Sequence, residues 1–274
     1  MDPGSASALE HAEGFEALKH EQKTVGTVER LNIPVGSTTV RGFLHLPAGY
    51  KENQDRISAA ALLLSGAGGG VSGPSGIYVS IGDKLSSLRR GIPVLRLDYR
   101  YPADNNPCVE DVTSAMGYLD GKYSIRSYVL VGWSFGGAPV FTVGGQEKDR
   151  VLGCATVASQ TAATNGIRYL APRPVLLLHG TGDRTLNWHC SQSLYEAYGK
   201  KGDRSLKLFE GDDHALTKNS HEAEELLCSF IARCLDVGVS GHERESVLQK
   251  TLTKDGDKVD LMKKGGDLEG ERVE

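Results

Sequence analysis

This sequence predicts an α/β fold: a mostly parallel, twisted sheet of about eight strands with helices on both faces. Three observations lead there. Strand-like apolar runs alternate with helical patterns between residues 59 and 235. The run Ala59-Ala60-Ala61-Leu62-Leu63-Leu64 is apolar without a break, as a strand covered on both faces must be. Gly132-Trp133-Ser134-Phe135-Gly136 stands between the apolar run Tyr128–Val131 and a helical segment. Strand, tight turn and helix together are the setting of a nucleophile elbow.

The elements follow in order. Residues 1–24 carry charges, Gly, Ser and Ala with little periodicity and are expected to be disordered. Val25–Pro34 and Thr38–Leu46 read as two strands joined near Gly36. After the apolar strand 59–64 comes a glycine-rich loop, Ser65 to Gly73, then a helix from about Ile77 to Arg90, closed by Gly91. Pro93–Leu97 is the next strand. Asn106-Pro107 reads as an N-cap followed by proline at the first helical position, and Gly121 as that helix's end. The elbow strand and its helix follow. Val151–Ala158 and Pro174–Leu178 are strands, Cys190–Tyr198 a helix, Leu206–Phe209 a strand and Glu222–Leu235 a helix. Beyond Gly238 the apolar stripe stops, so residues 239–274 are expected to form a polar, mobile tail, with room for a short helix at Arg244–Leu252. The domain is therefore placed at residues 25–238.

Composition narrows the function classes. The 274 residues are 39% hydrophobic and 24% charged, as in a globular domain with one large core. A formal net charge of -4 gives no reason to expect nucleic acid. No apolar run approaches the roughly 18 residues of a membrane span. Met1 to Lys23 has no basic segment leading into an apolar one, so no secretory signal is visible and a cytoplasmic location is expected. Cys108, Cys154, Cys190, Cys228 and Cys234 are odd in number without paired spacing, and read as free thiols. No Cys/His cluster has zinc-site spacing.

A serine hydroxyl at neutral pH needs a base within hydrogen-bond reach, and the base needs a group that orients it. In an open parallel sheet such partners sit in loops at the carboxyl ends of later strands. Strand Pro174–Leu178 runs into His179-Gly180-Thr181-Gly182-Asp183, which puts Asp183 where an orienting carboxylate is needed. Strand Leu206–Phe209 runs into Glu210-Gly211-Asp212-Asp213-His214, which puts His214 where the base is needed. Asp212 and Asp213 are too near His214 in sequence to orient its ring and read as turn formers. His179 reads as a brace for the acid loop.

With the order Ser134, Asp183, His214 in hand, residues 25–235 resemble the α/β-hydrolase superfamily. Its lidless outline is most similar to the dienelactone-hydrolase and small-esterase branch, since only Ser159 to Arg173 separates the strand after the elbow helix from the acid strand. The resemblance implies a serine hydrolase that cleaves a small or medium carboxylic ester or thioester through an acyl-enzyme, without metal or organic cofactor. It also implies an oxyanion hole. One backbone amide would be that of Phe135; the second would be Ala67, with Gly68 in reserve. Here the chain departs from the family's pattern, because Ser65 stands where a histidine is usual. Trp133, Tyr99, Arg100, Arg184 and Trp188 flank the expected catalytic edge and are candidates for substrate contact. The two arginines could instead pair with Asp98, Asp104 or Asp212.

Two other readings compete. Gly68, Gly70 and Gly73 satisfy G-x-G-x-x-G after a strand, with Asp98 ending the next strand, as in a dinucleotide fingerprint. Pro74 and Ser75, however, set the helix back from any pyrophosphate. The other is a ligand-binding protein on a hydrolase fold, with slow or no turnover.

Overall fold

The computed structural model describes residues 9–21 and 26–269. Residues 1–8 and 22–24 of the expected disordered segment, and the last five residues of the expected tail, lie outside that description.

Eight strands form one sheet: β1 Thr27–Val35, β2 Thr38–Leu46, β3 Ala59–Leu64, β4 Val94–Asp98, β5 Ser127–Trp133, β6 Val151–Val157, β7 Val175–Gly180 and β8 Arg204–Phe209. Their order across the sheet is β1-β2-β4-β3-β5-β6-β7-β8. β2 runs antiparallel to both its neighbours, and every pair from β4 to β8 is parallel. The chain leaves β3 for β4 on one side and returns to β5 on the other. The strand order therefore reverses at β3, the kind of switch point beside which open α/β sheets bind ligands, at the carboxyl ends of β3 and β5. Those ends carry the glycine-rich loop and the elbow.

Five helices lie over the sheet: α1 Ile77–Ser86, α2 Asn105–Tyr123, α3 Gly137–Gln146, α4 His189–Tyr198 and α5 Ser220–Cys234. The alternation of side chains along each strand divides the interior into two cores. Ala61, Leu63, Val129, Val131 and Leu178 face one layer with α1 and α5. Leu62, Leu64, Leu95, Leu130 and Leu177 face the other with α2, α3 and α4. This two-sided cover is why β3 is apolar at every position.

Several boundaries differ from expectation for local reasons. α2 begins two residues early, and its cap is Asp104, whose carboxylate accepts from the Asn106 amide at 3.3 Å. Its end is Ser124 in the left-handed region, not Gly121. α1 stops at Ser86 rather than Arg90. The segment between β6 and β7 folds as a short turn, Asn165–Tyr169, against α3, and the Thr142 hydroxyl donates to the Ala163 carbonyl at 3.1 Å. No lid domain is present there.

Both ends depart from the expected disorder. At the start, Ala12, Phe15 and Leu18 are buried. The Ala12 amide donates to Asp83 at 2.8 Å, and His11 contacts the same carboxylate at 2.8 Å. At the other end, the chain turns helical at Gly241–Leu248, close to the short helix anticipated, and again at α6, Lys258–Gly265. Val247, Leu248, Leu252 and Met262 join the core beside α1 and α5. The buried Lys84 ammonium donates to the Leu248 carbonyl at 3.0 Å. These apolar residues are too few and too irregularly spaced to form a periodic stripe, which hides their burial from a pattern reading.

Candidate active site

The elbow is built by close approach. Ser134 has φ +54°, a left-handed backbone that costs a residue with a side chain about 1–2 kcal/mol. A Cβ at Gly132 would strike the Gly136 carbonyl, and one at Gly136 would lie 2.6 Å from the Ser65 carbonyl oxygen. Both positions must lack side chains for β3, β5 and the start of α3 to meet. The elbow and the first residue of the glycine-rich loop are thus in direct backbone contact.

The loops 179–183 and 210–214 are joined to each other. The Thr181 amide donates to the Phe209 carbonyl at 2.8 Å, and the Gly182 amide to the Asp212 carbonyl at 2.9 Å. Across this junction His214 Nδ1 lies 2.7 Å from Asp183 Oδ2. The same oxygen is 3.0 Å from His179 Nε2, and Oδ1 accepts from the Thr185 and Leu186 amides, each at 2.8 Å. His179 Nε2 also faces the Leu186 carbonyl at 3.0 Å, so that nitrogen carries the proton, and Nδ1 accepts from the Ser191 hydroxyl at 2.7 Å. Burial pushes the Asp183 carboxyl up, but the bonds from His179 and His214 outweigh it and hold the carboxyl well below its usual range. Asp183 is therefore an anion at neutral pH. Asp212 and Asp213 serve the loop itself: Asp212 accepts from the Lys218 and Asn219 amides, Asp213 from those of Ala215 and Thr217.

Trp133 ties the His214 loop to the tight turn at Ser134. Its ring is fully buried, its Nε1 donates to the His214 carbonyl at 3.0 Å, and its centroid is 5.5 Å from that of the His214 ring. The residue preceding Ser134 in the chain thus grips the backbone of the histidine loop. Ser134, Asp183 and His214 are all buried, the most exposed of them at 8%.

No protein-family model and no curated protein matches the sequence. Solved structures do match. Dienelactone hydrolase from Anabaena variabilis is 15% identical, with a TM-score of 0.64 over 77% of this chain and 99% of that one. Est1E from Butyrivibrio proteoclasticus is 15% identical, with a TM-score of 0.62 over 76% and 99%. A lidless α/β serine hydrolase from Xanthomonas campestris is 14% identical, with a TM-score of 0.58 over 79% and 97%. The chain has the α/β-hydrolase fold.

Within this hydrolase fold the remaining candidates scatter. Phe135 follows Ser134 in the tight turn Ser134–Gly136 and is buried, its ring edge-on to Tyr99 at 6.0 Å. Ala67 and Gly68 are the central residues of a turn closed by the Gly69 amide on the Gly66 carbonyl at 3.1 Å. Trp133, buried and bonded as described, is not presented to a ligand. Tyr99 is buried as well. Arg100 pairs with Asp111 and, at 2.6 Å, with Glu110, rather than with Asp98, Asp104 or Asp212. Arg184 is exposed and borders a hollow of about 230 Å³ with Asp213, His214 and Lys218. Trp188 stacks on His189 at 3.8 Å.

One residue that sequence reasoning missed organises the glycine-rich loop. Asp267 is fully buried and accepts from the Ser65 hydroxyl at 2.5 Å, the Ser72 amide at 2.9 Å and the Gly73 amide at 2.7 Å. The loop amides that a dinucleotide pyrophosphate would use are thus occupied by a carboxylate of the chain itself. Burial, reinforced by the neighbouring Asp98, raises the Asp267 carboxyl to about 7 despite those three bonds. The available signal was Gly265-Gly266, a helix stop that turns the chain back. Nothing in it names the partner.

Proposed function

We propose that the protein is a serine hydrolase that cleaves a carboxylic ester or thioester of a small or medium acyl group. The observation that carries this reading is the position of His214. Its Nδ1 is bonded to an anionic carboxylate 2.7 Å away, and its loop is gripped by Trp133, the neighbour of a serine in a strained turn.

In the proposed reaction the Ser134 hydroxyl attacks the acyl carbon while His214 Nε2 takes its proton. Asp183 fixes the ring tautomer and stabilises the imidazolium. The alkoxide or thiolate leaves with the proton returned by His214, and a water deprotonated by the same nitrogen releases the acid from Ser134. The Phe135 amide and the amide of Ala67 or Gly68 receive the negative charge on the tetrahedral oxygen, where each donor supplies about 3 kcal/mol. Ferulic acid has been seen bound to Est1E, which makes aromatic acids a sensible part of a substrate panel.

The test is a fluorophosphonate probe with an ester panel of two to sixteen carbons, on the wild type and Ser134→Ala. Labelling at Ser134 is expected. Turnover in the variant is expected to fall on the order of 10⁵-fold or more while the protein stays folded. Retained turnover in Ser134→Ala would end the reading. Labelling without turnover on any ester would favour a ligand-binding role.

A further inference from the structure

We infer that the C-terminal arm, residues 255–269, is a clamp that shapes the oxyanion loop, with Asp267 as the positioning residue that takes over the anchoring of position 65. This rests on the hydrolase reading above and extends it to a segment with no motif.

The arm reaches the loop by a defined route. α6 ends at Gly266, whose φ of +87° reverses the chain; the Asp267 amide then bonds back to the Met262 carbonyl at 2.9 Å. That cap projects the carboxylate into the loop, 202 residues away in sequence from Ser65. Its three bonds hold both ends of the segment 65–73. A fourth bond, from the Val71 amide to the Gly265 carbonyl at 3.2 Å, adds a backbone rung. The fit is tight: a Cβ at Gly265 would run into both the Ser72 side chain and the Asp267 carboxylate. Ala67 and Gly68 lie inside the clamped segment, so the direction of their amides depends on these anchors. Ser65 also supplies the carbonyl against which Gly136 of the elbow packs. The loop and the nucleophile's turn are therefore placed by one fixed point.

The arm touches the base loop too. The Lys258 ammonium donates to the Thr217 carbonyl at 2.6 Å, and Ser75, just past the clamped segment, donates to the Ala215 carbonyl at 2.8 Å. One arm thus spans the two loops between which a tetrahedral oxygen and its proton acceptor would sit.

A carboxylate that only stabilised the fold would change the melting temperature and leave the chemistry of folded molecules alone. A positioning residue changes kcat and spares KM, because a displaced amide weakens the transition state more than the bound ester. The experiment compares full-length wild type, Asp267→Ala and Gly265→Ala, using steady-state kinetics on the best ester of the panel and amide hydrogen exchange. The glycine variant keeps the carboxylate and suits a helix, but obstructs docking, so it should reproduce the loss. In both variants kcat is expected to fall about ten- to a hundredfold, short of the loss of a whole donor, with KM within about threefold. Amides 65–73 are expected to exchange at least about tenfold faster, with β5 and β6 unchanged. Wild-type kcat in both variants, or unchanged exchange of the loop, would overturn the clamp. A wild type without esterase activity or probe labelling would instead remove the hydrolase reading, and the exchange comparison would still decide whether Asp267 holds the loop.

Discussion

Two buried carboxylates, Asp183 and Asp267, serve different loops and are displaced in opposite directions. Asp183 accepts two backbone amides and faces two imidazoles, those of His179 and His214. Its carboxyl lies well below the ordinary range, because those bonds outweigh its burial. Asp267 is fully buried, accepts three neutral donors and lies near Asp98, and burial keeps its carboxyl at about 7. Similar hydrogen-bond counts therefore do not decide the charge state. The depth of burial and the kind of donor do: ring N–H bonds from His179 and His214, helped by the charge of His214, offset the burial of Asp183, whereas the hydroxyl and amide donors of Asp267 do not offset its deeper burial. The first carboxylate is suited to stabilising a cation that forms during a reaction, and the second to holding a backbone still.

The sharpest way to break this contrast is kinetic. Asp183→Asn keeps the shape but leaves His214 with an amide in place of an anion. By the behaviour of other triads, kcat should fall about 10⁴-fold, measured on an ester with the fold checked by circular dichroism. If the loss were no greater than that in Asp267→Ala, the two carboxylates would be equivalent supports and the assignment of Asp183 as the orienting acid would fail.

The meeting of Asp183 and His214 was legible because each follows its own strand within a few residues. Position along the chain then reports position at the sheet edge, and the elbow's glycines report the backbone contacts that require them. Asp267 was not legible for the converse reason. Its three partners lie 194 to 202 residues away, and a carboxylate among Lys, Gly and Glu looks solvated until the fold brings it inside. The same holds for Val247, Leu248 and Leu252, whose burial depends on α1 and α5 and not on any period of their own. Arg100 illustrates a nearer miss: its ion-pair partners, Glu110 and Asp111, lie in the second turn of α2 and not at Asp98, Asp104 or Asp212.

The pH dependence of stability sharpens the contrast further. Asp183, depressed on folding, contributes stability that is present above the ordinary carboxylate value of about 3.9 and is lost as pH falls below it. Asp267, raised to about 7, has the opposite sign. Its contribution is complete below about pH 4 and is lost as pH rises through 7. Arg96, Asp98 and Tyr78 also lie in its field. In Asp267→Asn that group no longer ionises. Denaturant unfolding from pH 4 to 8 should therefore show the wild type losing a few kcal/mol relative to the variant, at about 1.4 kcal/mol per pKa unit. A constant difference across that range would mean that the buried carboxyl does not change charge there.

The smallest effect tests the link between elbow and base. Trp133→Phe removes the donor to the His214 carbonyl while keeping an aromatic ring in the core. Loss of one such bond costs about 1 kcal/mol, and the smaller ring adds a packing defect of similar size. Stability should fall by roughly 2 kcal/mol in urea, with kcat falling only a fewfold, since the bond between His214 and Asp183 remains to aim the ring. A loss of kcat beyond about a hundredfold with stability nearly unchanged would reverse the order of importance. The histidine would then be positioned chiefly by the strand that carries the serine, and the acid loop would matter for charge alone.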